Sequence, residues 1–147
     1  MSSTAKSSFL TPLVVEFIDG RNWKVSEEFD YESFIEGIII HIPVGFITDF
    51  ASIPQIFWSL LPPTGLYGKA AVVHDFLYQS AGLVSKAIAD RVLLEAMRVL
   101  GVNETTCEII YNGVVLGGEN TWNRDQLNSN LAILKILREH EEEIAKA

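Results

Sequence analysis

A single cysteine, Cys107, stands among 147 residues, so no intramolecular disulfide can form. That excludes a disulfide-knit secreted scaffold and a multi-cysteine zinc site. Basic residues are scarce as well. The 11 Lys and Arg against 19 Asp and Glu leave a formal charge of -8, which argues against broad phosphate-driven attraction to nucleic acid or anionic lipid. No nucleic-acid partner is expected. No apolar run approaches the roughly 18 uninterrupted residues of a membrane helix, and the opening MSSTAKSSFL lacks the long apolar segment of a signal peptide. A soluble, unexported chain with no transmembrane segment is the expectation. There is little low-complexity sequence, and the 48% hydrophobic content argues against disorder.

The length suits one domain over residues 1–147, with 1–10 as a flexible lead. A chain of this size hides about 68–70% of its unfolded surface, enough for a core without covalent staples. Residues 11–18 (TPLVVEFI) are rich in β-formers, and Asp19-Gly20 then offers a two-residue turn, which predicts a hairpin returning over 22–29. A third strand is expected over 34–42 (FIEGIIIHI). From there the period changes. Ser52-Ile53-Pro54-Gln55 reads as a capping box opening a short helix through residue 60, which Pro62-Pro63 stops. Residues 64–68 form a glycine-bounded loop, and helices are expected over 69–79, 85–100, 104–116 and 124–144. The fold class is therefore α+β: an N-terminal antiparallel hairpin or three-stranded sheet packed beside a predominantly helical core.

The most informative stretch is KAAVVHDFLYQS, whose apolar residues leave almost no polar face. His74 and Asp75 within it must be hydrogen-bonded, charge-paired or bound to metal. The two point about 100° apart on a helix, so they address different neighbours, while His74 and Tyr78 lie at i, i+4. Asp90 sits in the next helix among apolar residues, and the short loop 80–84 makes the two helices antiparallel neighbours, within reach for a His74–Asp90 contact. One carboxylate orienting a histidine, with a second beside it free to hold a cation, is a hydrolytic arrangement. The same residues also suit a buried pair that ties two helices together. Asp49 either joins the cluster as a further metal ligand or caps a turn. Trp58 and Tyr67 either line a substrate pocket above the dyad or belong to the core. His41, on a β-run, and His140, in the charged tail, read as surface residues, and Cys107 as a small core residue.

The strings VGFITDFASIPQIFW, LPPTGLYGKAAVVHDFLY, ADRVLLEAM and LGGENTW, spanning residues 44–122, resemble the phage and prophage family known as domain of unknown function 1353. That resemblance implies a viral or prophage gene, with phage structural proteins as partners and the host-cell cytoplasm during infection, or the virion, as its location. The helix pair alone, AAVVHDFLY followed by AD, is similar to phospholipase A2, particularly its viral-capsid form. This second resemblance implies His74 as general base, Asp90 as the group orienting it, Tyr78 as a supporting hydroxyl, Asp75 as a calcium ligand, and a phospholipid or other ester as substrate. The upstream calcium loop of that family, of Y-x-G-x-G type, is matched only by Gly65-Leu66-Tyr67-Gly68, in a different order. Two functions follow: a metal-assisted hydrolase using calcium, or a non-enzymatic virion or tail-associated protein in which the His/Asp cluster is a buried network.

Overall fold

The computed structural model describes residues 7–50, 52–59, 68–80 and 82–146. Six strands come first: β1 (Ser8–Phe9), β2 (Val15–Asp19), β3 (Asn22–Val25), β4 (Phe29–Ser33), β5 (Ile38–Ile42) and β6 (Ile47–Thr48). A 3-10 turn at Gln55–Ser59 leads to helices α1 (Gly68–Gln79), α2 (Lys86–Val99), α3 (Glu104–Gly117) and α4 (Glu119–Lys146). The class is α+β, but the strands form two antiparallel sheets of three, ordered β1-β4-β5 and β2-β3-β6, where one small sheet was expected.

The expected strand over 34–42 is half turn. Residues 34–37 reverse the chain through Gly37 at φ 68°, and β4 pairs with β5 from Phe29↔Ile42 to Ser33↔Ile38. The reason is legible in burial: Phe29, Tyr31 and Ser33 face inward with Ile40 and Ile42, whereas Phe34 and Ile35 stay exposed at the reversal. The first hairpin also turns one residue later than expected, since Asp19 pairs with Asn22 and leaves Gly20 (φ 50°) and Arg21 at the tip.

Helix limits follow local chemistry. Ser85 caps α2 by accepting from the Ile88 N–H, and Gly101 at φ 79° lets the chain leave it. Asn103 caps α3 through the amides of Thr105 and Thr106. The fourth helix starts five residues earlier than expected, at Glu119, because Gly118 both closes α3 and opens α4. Helix α1 is the central element. Ala70, Ala71, Val72, Val73 and Leu77 are wholly buried, and α1 packs on α2, α4 and strands of both sheets. Val92, Leu93, Ala96 and Met97 of α2 and Cys107, Ile110 and Val114 of α3 complete the core.

Candidate polar site at the α1–α2 junction

Burying an imidazole and two carboxylates among these residues demands partners, and each group has its own set. His74 donates from Nε2 to Asp90 Oδ1 at 2.7 Å, and its Nδ1 lies 3.1 Å from the Ser52 hydroxyl. The Tyr78 hydroxyl donates to the same Asp90 oxygen at 2.7 Å, while Lys86 Nζ reaches Asp90 Oδ2 at 2.7 Å. Lys86 also donates to the carbonyls of Val114 at 2.9 Å and Val115 at 3.3 Å, near the carbonyl end of α3 where a cation is favoured. Its three protons are thus spent, one within α2 on Asp90 and two joining α2 to α3. The expected His74–Asp90 contact is present, and Asp75 does address a different neighbourhood.

Electrostatics fix the proton positions. Burial alone would raise the Asp90 pKa, but the hydrogen bonds from His74, Lys86 and Tyr78 outweigh it and hold the group below the usual carboxylate range. An ionised Asp90 only accepts, so the proton between it and His74 belongs to Nε2, leaving Nδ1 with a lone pair. Burial lowers the His74 pKa, with the Asp90 hydrogen bond opposing, so the ring is neutral at physiological pH. Burial likewise raises the Tyr78 hydroxyl far out of the titrating range and keeps it a donor.

Asp75 is the strained member. Its Oδ2 accepts from Thr48 Oγ1 at 2.6 Å and from the Gln79 amide at 2.9 Å, but Oδ1 is buried with no hydrogen-bond partner among the described residues. Burial is the main cause of a pKa raised to about 7; the Thr48 bond offsets part of it, and the charges of Asp49 and Asp125 add to it. Ser52 lowers Asp75 slightly, an influence that falls short of a hydrogen bond to Oδ1.

Thr48 and Ser52 are each tied to α1, through Asp75 and His74. Phe50 holds φ 61°, a left-handed conformation that costs a bulky residue about 1–3 kcal/mol, and its amide donates to Thr48 Oγ1 at 3.1 Å. Downstream, the Trp58 indole donates to the Ile53 carbonyl at 3.1 Å. Ser52 therefore does not act as the expected helix cap; its hydroxyl is turned to His74, and the following turn is 3-10. On the far side Trp122 packs edge-on against Tyr78 with centroids 5.1 Å apart. Gly118 leaves the space that the Tyr78 hydroxyl fills.

The remaining expected site residues are dispersed. Asp49 lines a polar cavity of about 300 Å³ with Asn22, Gln79, Arg124 and Asp125, beside the dyad and not around His74. Trp58 is half-buried, stacked under the Arg21 guanidinium, and braces Ile53. Tyr67 and the glycine sequence 65–67 lie outside the described residues. A larger cavity of about 590 Å³, lined by Phe34, Ile35, Leu94 and Val99, lies apart from the histidine. His41 is exposed and 2.9 Å from Asp30, His140 is exposed, and Cys107 is buried.

Calcium takes six to eight oxygens, and among the described residues Asp75 is the carboxylate beside His74 with an oxygen left without a hydrogen-bond partner. One oxygen of Asp75 is already shared by two donors, and among the described residues no group of three or more His, Cys, Asp or Glu side chains is placed to hold a metal ion. Reading the sequence missed Ser52, Lys86 and Thr48 as members of this site. Lys86 carried a signal, since it lies four residues before Asp90 on one helix. Ser52 carried none beyond its place in a quoted string, because it meets His74 across 22 residues of chain.

Among known proteins, the chain is 37% identical over 60 residues to "Uncharacterized protein y4jT" of Sinorhizobium fredii (strain NBRC 101917 / NGR234), a match covering 40% of this chain and 18% of that protein. It therefore spans less than a fifth of the relative's length. No solved structure matches it. Residues 23–114 match the family described as "Protein of unknown function (DUF1353)", and they contain the whole Thr48, Ser52, His74, Tyr78, Lys86 and Asp90 constellation; the chain belongs to that family.

Proposed function

We propose that this protein is an ester hydrolase in which His74 is the general base and Asp90 the group that orients it. One observation carries the reading: the imidazole has its two nitrogens divided, Nε2 on an ionised carboxylate and Nδ1, carrying the lone pair, on a hydroxyl. That is the arrangement a base needs to take a proton from an attacking oxygen and later return it to the leaving group. Tyr78 and Lys86 keep Asp90 ionised and still, so the tautomer holds. The phospholipase-like helix pair supports an ester substrate, with phospholipid as the first to try, and the resemblance of the wider motif set to phage and prophage proteins supports a role during infection.

The test is fatty-acid release from mixed phospholipid vesicles and from soluble p-nitrophenyl esters, with and without calcium, comparing wild type with folded His74→Ala. Hydrolysis that falls at least 100-fold in the variant is expected. No hydrolysis of any ester by wild type would overturn the proposal.

A second reading rests on a specific observation: His74 has no exposed surface and Asp75 and Asp90 are 1% exposed each. Here the network is a brace joining α1 and α2 to Thr48 and Ser52, in a non-enzymatic virion or tail-associated protein. It predicts that His74→Ala unfolds the chain and that wild type has no turnover to lose.

A further inference from the structure

We propose that the attacking oxygen of this site is the Ser52 hydroxyl, which forms a covalent acyl ester with a carboxylic ester substrate; the proposal rests on the hydrolase reading and names its nucleophile. The argument starts from occupancy of Nδ1. That nitrogen carries the lone pair, and the atom on it is Ser52 Oγ at 3.1 Å, so a proton leaving toward His74 leaves from a serine. With Nε2 bound to Asp90 at 2.7 Å, the order is nucleophile, base and orienting carboxylate, each within hydrogen-bond reach of the next.

The backbone around Ser52 is built for a fixed position. Phe50 is held in the left-handed region two residues upstream, Thr48 is bonded both to Asp75 and to the Phe50 amide, and Trp58 holds the Ile53 carbonyl. Strain in a bulky residue persists only where its surroundings impose it, and such strain gathers at functional positions.

The chemistry balances without a redox partner. The Ser52 proton passes to Nδ1 as Oγ bonds to the substrate's carbonyl carbon and the carbonyl electron pair moves onto its oxygen. On collapse the bond to the alcohol oxygen breaks, and the alcohol leaves with the proton from Nδ1. A water molecule then repeats the sequence on the acyl-Ser52 ester, releasing the carboxylic acid and restoring the hydroxyl. Because Ser52 and His74 have no exposed surface, the acyl donor must displace covering side chains, and acylation by a soluble reagent is expected to be slow.

The full chain is incubated with a small alkyl fluorophosphonate, whose phosphorus gains the Oγ bond as fluoride leaves, and is followed by intact mass and peptide mapping. A single adduct at Ser52 is expected, absent in Ser52→Ala and formed at least 100-fold more slowly in folded His74→Gln. Hydrolysis of p-nitrophenyl acetate should fall at least 100-fold in Ser52→Ala. If Ser52→Ala does not fold, Ser52→Cys decides: an acyl-thioester at residue 52 supports the assignment and its absence overturns it. Ester hydrolysis that needs His74 yet persists in folded Ser52→Ala overturns the nucleophile while sparing the base. Absence of both the adduct and His74-dependent hydrolysis overturns both.

Discussion

Gly118 and Tyr78 share one volume: a Cβ on Gly118 would lie 2.8 Å from the Tyr78 hydroxyl and 2.5 Å from the Val114 carbonyl oxygen. The LGGENTW string thus shapes the wall behind Tyr78, with Gly118 yielding room and Trp122 packing the ring. Gly118→Ala should cost about 1–3 kcal/mol through overpacking, with the hydroxyl pushed off Asp90. Urea denaturation of Gly118→Ala, Tyr78→Phe and the double variant checks this: the two losses should sum to more than the double variant's loss, because both remove the same bond. Strict additivity would sink the coupling.

Lys86 holds a carboxylate that is 2% exposed as a side chain, while its own side chain is 19% exposed. Lys86→Met keeps most of the stem but leaves Asp90 short of a cationic partner, and removing one member of such a pair costs about 3 kcal/mol. The same change unties α2 from the Val114 and Val115 carbonyls. Chemical denaturation reads the loss, and a variant within 0.5 kcal/mol (about the scatter of neutral surface changes) would show that Asp90 is held without it.

Asp75 makes stability fall as pH rises. Its carboxyl is raised from 3.8 to about 7 in the folded chain, so between those values the folded state keeps a proton that the unfolded state has released. That contribution is fully present below the lower value and is lost as pH passes through the upper one, on the order of 4 kcal/mol in all. His74 acts in the opposite sense: its lowered pKa means that the unfolded chain gains a proton first as pH drops below 6.5, which reduces stability there. Unfolding free energies of wild type and Asp75→Asn from pH 4 to 8 separate the two. The variant should lose the alkaline-going decline, and identical profiles would refute the assignment.

Helix α4 should be dispensable past Asn130. Thr121, Trp122, Asp125, Gln126 and Ser129 are its part-buried residues, with Gln126 and Ser129 bonded to the Tyr78 and Gln79 carbonyls, whereas every residue over 130–146 is exposed. Truncation after residue 130 should therefore leave the unfolding free energy within about 0.5 kcal/mol. A segment of this length is marginal as an isolated helix, so its amides should exchange rapidly. Slow exchange over 131–146 would contradict the exposure.

The helical half was legible because its information is local. Periodicity, the Ser85 cap and the glycine at 101 are set within a turn of the residues they govern, and the burial of KAAVVHDFLY follows from having no polar face. Those signals were enough to require partners for His74 and Asp75 and to name Asp90 as one.

The strands and the site's other partners belong to tertiary structure. The 34–37 reversal and the split into two sheets depend on which side chains find the core, since a β pattern has the same period in either pairing. Thr48 meets Asp75 across 27 residues and Ser52 meets His74 across 22, distances over which no spacing rule operates. The sequence determined that an imidazole and two carboxylates would be buried and would need satisfying. Only the folded chain decided that Asp90 receives three donors, that Asp75 keeps one oxygen without any among the described residues, and that a serine faces the free nitrogen of His74. Burial sets the demand locally, but the atoms that meet it arrive from wherever packing brings them.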